Sequence, residues 1–257
     1  MKSFKKISTM LSLAVALAVI ICTVCIVTLI VNGAKTDILI GKDDGSYVQS
    51  SAELLPTYDY GQAYIDSIVF ISDTTLSSTE FSSLLRDGSQ VWSGADGSFA
   101  LDYNTDTASV VYSTDGKKGA VSVAAEERKP QYVIITIGLE NGVAHCSKEK
   151  FQEYYSKIID ALKSSSPETK IILQSVFPTS KKVSKDTPSI SNQKISSANS
   201  WIAELAQSKS VRYLNTASAL ADSKGNLKSE YDSGDGIHLN SDGYTAVLDY
   251  IRTHGYK

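Results

Sequence analysis

Tyr132-Val133-Ile134-Ile135-Thr136-Ile137 runs directly into Gly138-Leu139-Glu140-Asn141-Gly142. Six residues, most of them β-branched and apolar, show no alternation of polar and apolar side chains. That is the pattern of a strand buried on both faces, as strands of parallel sheets are. The glycines and the acid and amide that follow end it in a polar loop. Working outward, Ile68–Ile71 has the same character and closes on Ser72-Asp73-Thr74-Thr75. Lys170–Val176 and Val211–Asn215 read as two more strands, and Gln90–Trp92 as a short one. Between them the apolar period changes to that of helices. Lys148–Ser164 carries Phe151, Tyr154, Tyr155, Ile158, Ile159 and Leu162 on one face, and Asn192–Lys209 carries Ile195, Ala198, Trp201, Ile202 and Leu205. Shorter helices are predicted over Leu76–Leu85, Ser122–Lys129 and Asp242–Thr253, with Ser109–Tyr112 in the sheet or in a surface hairpin. Strands alternating with helices predict a three-layer α/β/α domain around a parallel sheet covered on both faces. In such sheets ligands bind beyond the carboxyl ends of the strands.

The chain has 257 residues and a net charge of −3 from 25 basic and 28 acidic residues. There is no basic stripe interleaved with aromatics, so no nucleic-acid partner is expected. Three cysteines exclude a disulfide framework and a Cys-rich zinc site, because Cys22 and Cys25 lie in an apolar run and leave Cys146 alone. Lys2, Lys5 and Lys6 precede an uncharged run from Ile7 to Gly33. Its centre, Met10–Val31, is 22 residues long, enough at about 1.5 Å per residue to cross the hydrocarbon core. A secretory core would be shorter, about 7–15 residues. Residues 1–33 therefore read as an uncleaved single-pass signal anchor, with the lysines cytoplasmic and the rest of the chain outside the cell membrane. Residues 34–60 read as a juxtamembrane linker with one short strand at Asp37–Ile40, and residues 61–257 as the folded domain.

The C-terminal stretch carries the chemistry. In Asp235-Gly236-Ile237-His238-Leu239-Asn240 an acid stands three residues before one of only three histidines. An Asp that fixes the tautomer of a His supplies two thirds of a nucleophile-activating triad. The competing reading is that the two residues cap the last helix and bond each other as structure. The Lys181–Lys185 cluster reads as a solvated loop, and Trp92 and Trp201 read as packing. No Gly-x-Gly-x-x-Gly and no phosphate loop is present.

These blocks resemble the SGNH hydrolases, also called the GDSL esterase/lipase family, over roughly Ile65–Tyr256. Asp235-Gly236-Ile237-His238 is similar to the family's last block, Asp-x-x-His. Phe70-Ile71-Ser72-Asp73-Thr74-Thr75 stands in the place of its Gly-Asp-Ser block, and Ile137-Gly138-Leu139-Glu140-Asn141 in that of its Gly-x-Asn-Asp block. Ser175-Val176-Phe177-Pro178 and the Asn-containing helix after it also resemble family members. The resemblance implies Thr74 as nucleophile, His238 as general base and Asp235 as the residue orienting it. It implies a flavodoxin-like sheet, and oxyanion donors at the Thr74 N–H, at Gly97 (or Gly94) and at the Asn of the third block; Glu140 falls in register with that Asn, where a carboxylate would oppose the developing charge, and Asn141 lies one place later. Asp73 joins this set by position, though a bond acceptor beneath the strand end is the simpler role for it. The activity implied is that of an esterase or deacylase acting on an acylated glycan or lipid, with no metal and no cofactor. Ser72 for Gly, Thr74 for Ser and Glu140 for Asn depart from the family pattern. They leave open a non-catalytic domain that binds a surface glycan or a protein partner. Oligomeric state does not follow from the sequence.

Overall fold

The computed structural model describes residues 50–256, the side chains at 140 and 141 excepted. The anchor and the strand expected at Asp37–Ile40 lie outside the described residues. Among the described residues no helix is long and apolar enough to cross a membrane.

Five parallel strands form the sheet. They are β1 (Ile68–Ser72), β2 (Val91–Trp92), β5 (Tyr132–Thr136), β6 (Lys170–Gln174) and β7 (Arg212–Leu214), in the order β2-β1-β5-β6-β7. This is the flavodoxin-like order. The central strand is the one with the most continuous apolar run: β5 pairs with β1 from Ile68↔Tyr132 to Ser72↔Thr136 and with β6 from Tyr132↔Lys170 to Ile135↔Leu173. Successive side chains point to opposite faces. Ile71, Val133, Ile135, Ile171 and Leu173 join one buried cluster, and Phe70, Ile134, Ile172 and Leu214 the other. The first cluster is covered by α3 (Val121–Arg128), α4 (Lys148–Ser165) and α6 (Asn192–Ser208). The second is covered by α1 (Gln62–Asp66), α2 (Thr79–Ser83), α7 (Ala217–Leu220) and α8 (Ser241–Thr253). In α4, the predicted stripe of Phe151, Tyr155, Ile158, Ile159 and Leu162 is fully buried, with Tyr154 at its half-buried edge. Trp92 is buried with its indole N–H on Ser89 O, as packing requires.

Ser109–Tyr112 lies outside the main sheet, where β3 (Ser109–Val111) pairs antiparallel with β4 (Lys118–Ala120). That is the hairpin alternative, whereas three stretches differ from the sequence expectation. Residues 50–60 pack on the domain instead of linking to it: Glu53 bridges to Tyr213 beside β7, Leu54 N–H donates to Tyr213 O at 2.8 Å, and Tyr60 N–H donates to Arg252 O at 3.0 Å. Leu76–Leu85 is helical only over α2, which starts where Ser78 Oγ accepts the Phe81 N–H. The Ser/Lys-rich loop contains α5 (Lys181–Asp186), because Ser180 caps it through the Val183 N–H.

The strand ends are held by side chains that stand in for missing sheet partners. Asn199 of α6 is buried, accepts from Val176 N–H at 2.7 Å and donates to Val176 O at 3.0 Å. Asn199→Ala strands both backbone groups, each worth about 1–3 kcal/mol when buried and unpaired. We expect a loss of about 3 kcal/mol, read as a shift of the urea unfolding midpoint at unchanged slope.

Candidate active site

The loop from Asp232 to Asn240 is built by its own carboxylates. Asp232 Oδ1 accepts the N–H groups of Gly234 and Gly236, both at 2.8 Å. Asp235 Oδ1 accepts those of Ile237 and His238, also at 2.8 Å. This leaves Asp235 Oδ2 to meet His238 Nδ1 at 2.6 Å. Gly236 has φ +81°, and a Cβ there would lie 2.3 Å from Ser180 Oγ. The glycine thus lets the loop press against the cap of α5, where Ser180 N–H donates to Gly236 O at 2.8 Å. Asn240 then caps α8 by accepting from Gly243 N–H.

Burial works to raise the Asp235 pKa, but bonds from the His238 ring and from the N–H groups of His238 and Ile237 outweigh it and hold the group at about 2. An ionised carboxylate can only accept, so His238 Nδ1 carries the proton, and in the neutral imidazole the lone pair is then on Nε2. Nε2 has no protein partner among the described residues. That is the state of a general base waiting for a hydroxyl.

The turn after β1 lies on the same side of the sheet. Tyr244 of α8 donates its hydroxyl to Thr75 O at 3.3 Å, which ties the turn to the helix that follows His238. Asp73 is buried, and burial pushes its carboxyl pKa up against bonds from Thr75 and Gly138. Oδ1 accepts from Thr75 N–H and Oγ1, and Oδ2 accepts from Gly138 N–H at 2.8 Å. Asp73 therefore ties the ends of β1 and β5 together from a buried position. Thr74 is half-buried, and neither its hydroxyl nor its N–H is bonded within the described chain. No hydrogen bond joins Thr74 to His238.

Gly97 does not offer the free donor expected of it. Its N–H is already given to Gly94 O at 2.9 Å, and Gly94 N–H to Ser98 O at 2.6 Å. Its φ of +80° and a virtual Cβ only 2.7 Å from Ser77 Oγ explain the glycine by close packing against the turn. Glu140 and Asn141 lie in the wide helical turn Leu139–Val143, and their side chains are outside the described residues. Sequence reasoning missed Ser72, whose hydroxyl binds both Thr136 O and Leu76 N–H; only the tertiary pairing of β1 with β5 reveals it. Among the described residues no group of His, Cys, Asp and Glu is arranged to hold a metal ion. A cavity of about 310 Å³ lined by Lys163, Thr169, Lys170, Ser210 and Tyr256 lies at the opposite, N-terminal ends of the strands.

Similar in structure is a Streptococcus pneumonia protein provisionally described as a platelet activating factor: 18% identity, 74% of this chain and 84% of that chain covered, TM-score 0.50. A provisionally assigned lipolytic protein of the G-D-S-L family from Desulfitobacterium hafniense DCB-2 covers 72% of this chain and 97% of its own, at 18% identity and TM-score 0.48. At 18% identity the first of these likenesses speaks to the fold alone. No curated protein matches the chain. The model of the GDSL-like Lipase/Acylhydrolase family matches residues 83–246, a range that contains Gly97, Gly138, Asp235 and His238 and begins after Thr74. With well over half its length matched by that model and the parallel sheet in place, this chain belongs to the GDSL-like lipase/acylhydrolase family.

Proposed function

We propose that the protein is a membrane-anchored, extracytoplasmic ester hydrolase that removes an acyl group from a glycan or lipid. Support for the anchor is the lysine-flanked apolar segment Met10–Val31. The observation that carries the chemistry is the Asp235–His238 contact, which leaves Nε2 free on the side of the sheet where Thr74 presents an unbonded hydroxyl. In this reading Thr74 Oγ1 attacks the ester carbonyl while His238 Nε2 takes its proton. Asp235 stabilises the imidazolium that results. The Thr74 N–H donates to the tetrahedral oxyanion, a role worth about 2.7–4 kcal/mol where one such donor has been removed in other enzymes. Collapse expels the alcohol, protonated by His238, and water then releases the acyl group from Thr74. The sequence of steps requires no metal or organic cofactor.

A second reading, a non-catalytic surface domain binding a glycan or protein, draws on the missing Thr74–His238 hydrogen bond and on the engaged Gly97 N–H. Hydrolysis of p-nitrophenyl acetate by the full-length chain in mild detergent separates the two. We expect turnover by the wild type, loss in Thr74→Ala and His238→Ala, and equal or faster turnover in Thr74→Ser, which lacks the crowding methyl. Turnover at background in the wild type and in Thr74→Ser alike supports the binding domain.

A further inference from the structure

We propose that Ser72 is a positioning residue that sets where the Thr74 hydroxyl stands; the inference rests on the reading of Thr74 as nucleophile given above. Ser72 is the last residue of β1 and is fully buried, so it cannot touch a substrate. Its hydroxyl donates to Thr136 O at 2.9 Å and accepts from Leu76 N–H at 3.1 Å. It thus spans the end of the neighbouring strand and the far side of the turn that carries Thr74. The alternative acceptor for Leu76 N–H, Asp73 O, is more distant at 3.4 Å.

The anchor point is itself fixed. Thr136 Oγ1 bonds the Gln174 side chain, whose Nε2 donates to Thr216 Oγ1 at 2.7 Å. All four side chains are buried, so the clamp continues across β1, β5 and β6 to the turn after β7. Thr74 has no hydrogen bond of its own, and its place is set by its neighbours: Asp73 holds Thr75, and Ser72 holds Leu76.

The clamp matters more for a threonine than for a serine. A β-branched side chain is stiff at χ1, so its hydroxyl goes where the backbone sends it. A serine hydroxyl can turn to recover a displaced position. The residue that the family places before its Asp-Ser is glycine, which has no hydroxyl to offer. In this chain a stiff nucleophile and an extra tether occur together.

The test is a two-by-two cycle of Ser72→Ala and Thr74→Ser on p-nitrophenyl acetate, with Ser72→Gly as a second way to remove the hydroxyl. Thermal melts show that each variant is folded, and Thr74→Ala is run beside them. We expect Ser72→Ala to lower kcat about tenfold or more with KM within about twofold, since a misplacement near 1 Å costs up to about 10²-fold. In the Thr74→Ser background the loss shrinks to about twofold, and exchange of the Leu76 amide speeds up in both. Unchanged kcat in the folded Ser72 variants, or an equal loss in both backgrounds, overturns the proposal and leaves Ser72 a stabilising residue. Wild-type rates in Thr74→Ala overturn the nucleophile reading instead, and the role of Ser72 goes with it.

Discussion

Replacing either Thr74 or His238 by alanine is expected to lower kcat/KM for p-nitrophenyl acetate by at least about 10³-fold, and replacing both is expected to cost little more than replacing one. The reason is that neither group works alone. A threonine hydroxyl at neutral pH is a weak nucleophile until a base takes its proton. In the neutral imidazole the Nε2 lone pair is the one left for that proton, because Nδ1 is committed to Asp235 at 2.6 Å. Groups acting as a unit are strongly non-additive, and what remains after their removal comes from binding and oxyanion donors. Simple addition of the two losses, measured by initial rates on the single and double variants, would show that Thr74 and His238 act separately.

Asp235→Asn is expected to reduce kcat by about 10²–10⁴-fold while the fold stays intact. Asparagine can still accept the Ile237 and His238 N–H groups through its oxygen, so the loop is kept. Its amide group then faces His238 Nδ1 and can only donate. That forces the imidazole proton onto Nε2, the nitrogen that must accept from Thr74. The carboxylate is also lost as a partner for the imidazolium. In the wild type, Asp235 is lowered from an ordinary 3.8 to about 2. A depressed acid contributes stability that is complete above its unfolded value and lost as pH falls through the folded one. Asp235 therefore stays ionised down to about pH 2, and its titration is expected to leave the activity profile untouched between pH 4 and 8. A rate profile with an acid limb near pH 4 that disappears in Asp235→Asn would contradict this.

The sheet and its long helices are legible in the sequence because their signals are local. β5 announces itself by an unbroken apolar run, and α4 by its stripe from Phe151 to Leu162. The Asp235–His238 pair is legible too, since three residues of a turn are enough to bring carboxylate and imidazole together. What the sequence hides depends on partners distant in the chain. Residues 52–54 have no periodic pattern, yet they extend the sheet beside β7 because Tyr213 offers backbone partners. The helix at Lys181–Asp186 has almost no apolar face; a serine cap and the docked Gly236 hold it. Gly97 looked like a donor because it is a glycine after the second strand. Its N–H is spent inside its own turn, and its lack of a side chain serves the contact with Ser77. Ser72 looked like a departure from Gly, whereas its hydroxyl joins two backbone groups that are distant in sequence.

The most direct measurement is to quench the full-length chain during turnover of p-nitrophenyl acetate and locate the acyl group by peptide mass spectrometry. One acetyl group on Thr74, absent from Thr74→Ala and trapped at higher occupancy when deacylation is slowed, is the result predicted. Hydrolysis that persists in Thr74→Ala, or an acetyl group carried on a different residue during turnover, would contradict a Thr74–His238–Asp235 centre.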